Sequence, residues 1–177
     1  MFAPNSVPLH RWEVVSMDYL SGIPTSRSGN DFLLIVVDRL TKRVVLVPTT
    51  KTVTGEQSAR LFVQHVFRHH GLPRAILSDR DPRFTATFWR HLHKLLGTKL
   101  LMSTANHPQT DGQSERGLRS IMAILRHVVN DMGDDWDEHL WAAEFAYNDA
   151  VHAATGFTPF QADVGRNPAT PCTLLAR

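Results

Sequence analysis

Three acidic residues stand in three different settings. Asp18 interrupts the apolar run WEVVSMDYL, Asp79 follows the short apolar run AILS, and Glu115 opens a long amphipathic stretch. Carboxylates gathered from separate elements repel one another, and hard divalent cations that prefer oxygen ligands relieve the repulsion. The chemistry such a set serves is metal-dependent phosphoryl transfer, as in a nuclease or polynucleotidyl transferase. Taken singly, each residue has an ordinary reading: Asp18 as an exposed position on a half-buried strand, Glu115 as a partner of a helix dipole. Their combination carries the hypothesis. Asp81, before Pro82, reads as a turn residue that positions Arg80 or Arg83, and Asp38 reads as a strand end close to Asp18.

Other chemistries find less support. His69, His70, His91, His93 and His107 are locally dense, but His91 and His93 are two apart and point to different faces of a helix, with no cysteine nearby. No G-x-S-x-G elbow supports a serine hydrolase. Cys172 is the only cysteine, which excludes an internal disulfide and a cysteine-rich zinc site and fits a reducing setting. No apolar run approaches the roughly 20 residues of a membrane helix, and the amino terminus lacks the apolar stretch of a signal peptide. The net charge is +2, with lysine only at Lys42, Lys51, Lys94 and Lys99, so arginine supplies most of the cations. That bias fits phosphate recognition, and equally an ordinary solvated surface.

The acidic residues need a scaffold, and 177 residues with 42% hydrophobic content suffice for one domain with a core. WEVVSMDYL, DFLLIVVD and RVVLVP, rich in β-branched residues and separated by turn formers, predict an antiparallel meander whose third strand stops at Pro48. Thr54 and Gln57 have capping-box spacing and open a helix with Ala59, Phe62, Val63 and Val66 on its apolar face, ending at Gly71. AILSD predicts a short strand, TFWRHLHKLLG a helix ending at Gly97, and TKLLM, residues 98–102, a fifth strand. Pro108 to Gly112 reads as a loop or frayed helix start. Leu118, Ile121, Met122, Leu125, Val128 and Val129 then trace a helical stripe. DEHLWAAEFAYNDAV and Thr158-Pro159-Phe160-Gln161 predict two further helices. The fold class is α/β with a mixed five-stranded sheet flanked by helices, the element order of a ribonuclease H-like domain. The expected organisation is an amino-terminal extension over 1–11, a catalytic core over 12–165 and a carboxy-terminal tail over 166–177.

RWEVVSMDYL, GNDFLLIVVDRLTK, FRHHGLPRAILSDRDPRFTATFW, LGTKLLMSTANHPQTDGQSER and EFAYNDAVHAATGFTPFQ together cover nearly the whole chain. In these segments it resembles the integrase catalytic core of gypsy-type long-terminal-repeat retrotransposons, within the retroviral integrase superfamily. Positions 80 to 114 put 35 residues between Asp79 and Glu115, the spacing of that family's acidic triad. HPQTDGQSER following SDRDPRF at this distance is the most specific element of the match.

The resemblance implies that Asp18, Asp79 and Glu115 are catalytic ligands of two Mg²⁺ or Mn²⁺ ions. It also implies that Pro108 to Gln113 form an active-site loop, and that His107, Gln109, Thr110, Asp111, Gln113, Arg116 and Arg119 lie near DNA. The implied activity is removal of nucleotides from the element's DNA ends and attack of the freed 3′-hydroxyls on target DNA. Double-stranded DNA and further copies of the chain are the implied partners, the nucleus the implied location, and no membrane is involved. The family cassette often continues Glu-Arg-Val-Asn-Arg, whereas here Glu115 is followed by Arg116, Gly117, Leu118 and Arg119. Gly117 weakens a helix by about 1 kcal/mol relative to alanine, and Leu118 replaces a polar residue one turn from Glu115. These departures, and the absence of the family's His/Cys and carboxy-terminal DNA-binding domains, leave a catalytically silent, partner-binding relic as the alternative. A hydrolase of RNA–DNA hybrids shares the metal logic but not the HPQTDGQSER cassette.

Overall fold

A computed structural model describes residues 8–78, 82–84, 86–97, 112–129 and 133–175. The meander forms as the alternation predicts: β1 (Val14–Leu20), β2 (Phe32–Asp38) and β3 (Val44–Thr49) pair antiparallel, with Asp18 opposite Ile35 and Leu34 opposite Val47. α1 (Gly55–Phe62) begins at the Thr54/Gln57 capping box. It continues through a π-helical turn, Val63–Phe67, into α2 (Arg68–His70), and the chain leaves it at Gly71 with φ 79°. β4 (Ala75–Ser78) returns parallel to β1, giving the order β3-β2-β1-β4. A 3₁₀ turn (Pro82–Phe84) leads into α3 (Ala86–Leu95); then come α4 (Gly112–Val128), α5 (Leu140–Asp149), α6 (Pro159–Val164) and α7 (Pro171–Leu175). The sheet is mixed and has four strands among the described residues; the fifth strand expected over 98–102 lies outside them.

Each face of the sheet buries its own apolar layer. Val15, Met17, Leu34, Val36 and Val47 meet Phe62 and Val66 from the first helical run and Phe88 and Leu92 of α3. Leu33, Ile35, Val44 and Leu46 meet Ile121 and Leu125 of α4, Trp136, and Leu140, Ala143 and Tyr147 of α5. The period-2 alternation of the strands thus sorts side chains between two helical layers, the α/β arrangement the pattern predicts.

Three local features depart from the sequence reading. β3 passes through Pro48 and ends at Thr49. It is an edge strand, and α5 covers its outer edge. Val44 N–H donates to Asn148 Oδ1 (2.9 Å), Asn148 Nδ2 donates to Val44 O (3.0 Å), and Leu46 N–H donates to Glu144 Oε2 (2.8 Å). By alternation Pro48 faces the same outer edge, where a missing N–H costs no ladder bond. α5 begins only at Leu140, because residues 137–139 belong to a turn in which Glu138 N–H donates to Asp135 O and His139 N–H to Trp136 O. Finally, the stretch expected as a tail includes the short helix α7.

Asp38 is fully buried and closes a turn. Its carboxylate accepts from the Trp12 N–H (3.1 Å), the Thr41 N–H (3.1 Å) and the Thr41 hydroxyl (2.7 Å). This is the strand-end role of the sequence reading, carried out through two backbone donors and the Thr41 hydroxyl.

Candidate active site

The site is built around β1. Val15, Met17 and Tyr19 belong to the α1/α3 layer, so alternation turns Ser16, Asp18 and Leu20 toward the α4/α5 layer. Asp18 is half-buried, its cross-strand neighbour Ile35 packs in the cluster that holds Ile121 of α4, and Leu20 packs against that cluster. The carboxylate therefore interrupts an apolar face on the side where α4 lies.

β4 supplies the second approach. Its last residue, Ser78, pairs with Met17, so the described part of the strand stops beside the residue preceding Asp18. Asp79 is the next residue in the sequence and lies outside the described residues. α4 supplies the third. Glu115 is in its first turns, seven residues before Met122, which packs on the α4/α5 cluster. Its position on the helix lies about 9 Å along the axis from Ile121, which packs in that cluster. α4 runs unbroken through Gly117.

The structure thus brings the Asp18 strand, the end of the strand before Asp79 and the face of α4 to one side of the sheet. His107, Pro108, Gln109, Thr110 and Asp111 lie outside the described residues, whereas Gly112 and Gln113, the last two residues of the expected active-site loop, already belong to α4. Gln113 and Arg116 occupy the first turns of α4, and Arg119 is exposed on the same helix. Among the described residues no three His, Cys, Asp or Glu side chains gather as a metal cluster. The donor chemistry nevertheless suits Mg²⁺ or Mn²⁺: Asp18 offers a hard oxygen at the border of an apolar layer, where neighbouring carboxylates would be costly without a cation.

Sequence reasoning missed the cluster directly behind Asp18. The Tyr19 ring stacks between Phe32 (centroids 5.0 Å apart) and Phe84 (5.1 Å). Ser58 donates its hydroxyl hydrogen to Thr54 O, so the Tyr19 phenol donates to Ser58 Oγ at 2.7 Å. The Arg83 guanidinium lies 5.0 Å from the Tyr19 ring centroid and 4.6 Å from that of Phe32. An aromatic residue next to Asp18 and an arginine in SDRDPRF were the visible signals, but periodicity alone assigns Tyr19 to the core.

Farther away, α6 ties the carboxy-terminal part to the start of β1. Asp163 accepts from Trp12 Nε1 (3.0 Å), its carbonyl accepts from Arg11, and Arg43 lies 3.7 Å from its carboxylate. His70 stacks on Trp12 with centroids 3.6 Å apart, and burial lowers its pKa to about 4. This second cluster is structural and holds no acidic partner set for a metal.

The architecture, a mixed sheet between two helical layers with the carboxylate strand at its centre, is that of a ribonuclease H-like domain. Solved integrase cores share it. The HTLV-2 integrase catalytic core domain in complex with magnesium (trimeric form) superimposes with a TM-score of 0.65 at 20% identity, covering 87% of this chain and 97% of that one. The BIV integrase catalytic core gives 0.62 at 21% identity, covering 87% and 95%. A chain of the simian T-cell lymphotropic virus intasome in complex with the PP2A regulatory subunit B56 gamma gives 0.67 at 17% identity, covering 94% and 61%.

In sequence the chain is homologous to a segment of retrotransposon polyproteins: it is 39% identical over 150 residues to the transposon Tf2-3 and Tf2-4 polyproteins of Schizosaccharomyces pombe, covering 85% of this chain. It spans 11% of the length of those relatives. No protein-family model matches the chain.

Proposed function

We propose that the chain is the catalytic core of a gypsy-type retroelement integrase, a metal-dependent polynucleotidyl transferase acting on double-stranded DNA. The observation that carries this reading is the placement of Asp18 on the α4-facing side of β1, beside the end of β4, in a chain with the fold of integrase cores. Homology to transposon polyproteins supports the retroelement source.

In this reading Asp18, Asp79 and Glu115 would hold two Mg²⁺ or Mn²⁺ ions. Bound there, the ions would lower the pKa of a water or 3′-hydroxyl nucleophile and stabilise the leaving oxygen. The carboxylates act as ligands, and no covalent enzyme intermediate is needed. End processing and strand transfer are both phosphodiester exchanges at this one site. His107, Gln109, Thr110, Asp111, Gln113, Arg116 and Arg119 contact DNA, the arginines through phosphate oxygens that set the register of the duplex. The HTLV-2 core forms dimers and trimers, which supports self-association here, and action on chromosomal DNA implies the nucleus. No helix among the described residues is long and apolar enough to cross a membrane.

The silent-relic alternative drew on Gly117, Leu118 and the missing domains. α4 runs through Gly117 without a break, which supports the active reading. The test is disintegration of branched DNA with Mg²⁺ or Mn²⁺, comparing the chain with Asp79→Asn. Metal-dependent strand resolution lost in the variant is expected, and a variant that keeps turning over would sink the assignment.

A further inference from the structure

We propose that Arg83 is a positioning residue for the carboxylate site, clamping the 3₁₀ turn Pro82–Phe84 onto the strand that carries Asp18. The inference rests on the functional reading above. The 3₁₀ turn Pro82–Phe84 carries Arg83 and Phe84, and both side chains meet Tyr19, the residue after Asp18 in β1.

The turn is held from three directions. The Arg83 guanidinium covers the Phe32 and Tyr19 rings at 4.6 and 5.0 Å, and its Nη2 donates to Lys51 O at 3.2 Å, just past β3. Phe84 stacks on Tyr19 and meets Phe88 edge-on at 5.8 Å, which ties the turn to the start of α3. On the backbone side, Gly55 at the start of α1 lies so close that a Cβ there would meet Arg83 O at 3.0 Å and the Phe88 N at 3.3 Å. Tyr19 is the shared member. It neighbours Asp18 in β1, is fixed to α1 through Ser58, and bears Arg83 and Phe84.

Arginine suits this task and lysine does not. A planar guanidinium can lie over two rings and still direct an N–H to a carbonyl, whereas an ammonium is a strongly hydrated point charge. The clamp bears on Tyr19, the neighbour of Asp18 in β1, and outer groups that orient metal ligands typically govern affinity by about 10–100-fold.

The test uses the whole chain, Arg83→Lys and Gly55→Ala, each checked for folding by thermal melting. Mn²⁺ affinity is read by electron paramagnetic resonance, and DNA affinity is read across a salt series. Both variants are expected to bind Mn²⁺ about tenfold more weakly, with DNA affinity and its salt slope unchanged. Unchanged Mn²⁺ affinity in a folded Arg83→Lys protein overturns the proposal. So does a salt slope reduced by about one with Mn²⁺ binding intact, because that is the mark of a phosphate contact. If Arg83→Lys fails to fold, Gly55→Ala decides: displacing the turn must weaken Mn²⁺ binding, and normal affinity refutes the clamp. A parent chain that binds no Mn²⁺ removes the functional reading along with this inference, whereas a binding parent with indifferent variants removes the clamp alone.

Discussion

Replacing Asn148 by alanine should cost the fold about 3 kcal/mol, because its amide pairs with both backbone groups of Val44 on the outer edge of β3. Asn148 and Val44 are both fully buried, and the amide accepts from the Val44 N–H at 2.9 Å and donates to the Val44 carbonyl at 3.0 Å. Alanine leaves both backbone groups without those partners. Each such loss costs about 1–3 kcal/mol, and water reaching the widened edge offsets part of the sum. For a chain of this size the melting temperature should fall by roughly 6–12 °C. Asn148→Asp is the companion variant: it keeps the acceptor, loses the donor when ionised, and should be better tolerated in acid than at neutral pH. Urea unfolding of the three proteins measures the differences. A loss below about 0.5 kcal/mol for Asn148→Ala would show that the strand edge is satisfied in another way and would refute the reasoning. The consequence reaches the site, since α5 packs with α4 in the layer that faces Asp18.

Two pH dependences follow from burial. His70 is held neutral in its stack on Trp12, with a pKa near 4 against the usual 6.5, so the unfolded chain binds the proton more readily. Its contribution to stability is complete above pH 6.5 and declines as pH falls toward 4, and His70→Phe should flatten that part of the melting-temperature profile. Burial pushes the Glu144 carboxyl up from its usual range, so ionising it disfavours the fold at neutral pH. Glu144→Gln keeps an acceptor for the Leu46 N–H and should raise the melting temperature at neutral pH, with the gain shrinking in acid; no gain at neutral pH would contradict this.

The elements with local chemistry were legible in the sequence. Thr54 with Gln57 and Thr158 with Gln161 form capping boxes where their spacing predicted them, and Ile121 and Leu125 bury the face that periodicity assigned. Features set by distant contacts were not. Pro48 stays within β3 because α5 covers that edge, a fact held by residues about a hundred positions away. The delayed start of α5 depends on a turn that competes with helix for Asp137 and Glu138. For the site, the placement of Asp18 on a strand and of Glu115 near the start of a long helix followed from periods of 2.0 and 3.6. The stack around Tyr19 did not, because an aromatic residue in a strand has the same alternation whether it fills a core or carries an arginine.

The central claim is that Asp18, Asp79 and Glu115 share divalent cations. A crystal structure of the chain soaked with Mn²⁺, with anomalous scattering used to find the metal, tests it most directly. The account predicts anomalous peaks within about 2.0–2.5 Å of carboxylate oxygens from all three residues. Occupied Mn²⁺ sites elsewhere, with the three carboxylates turned apart in a protein that still resolves branched DNA, would contradict it.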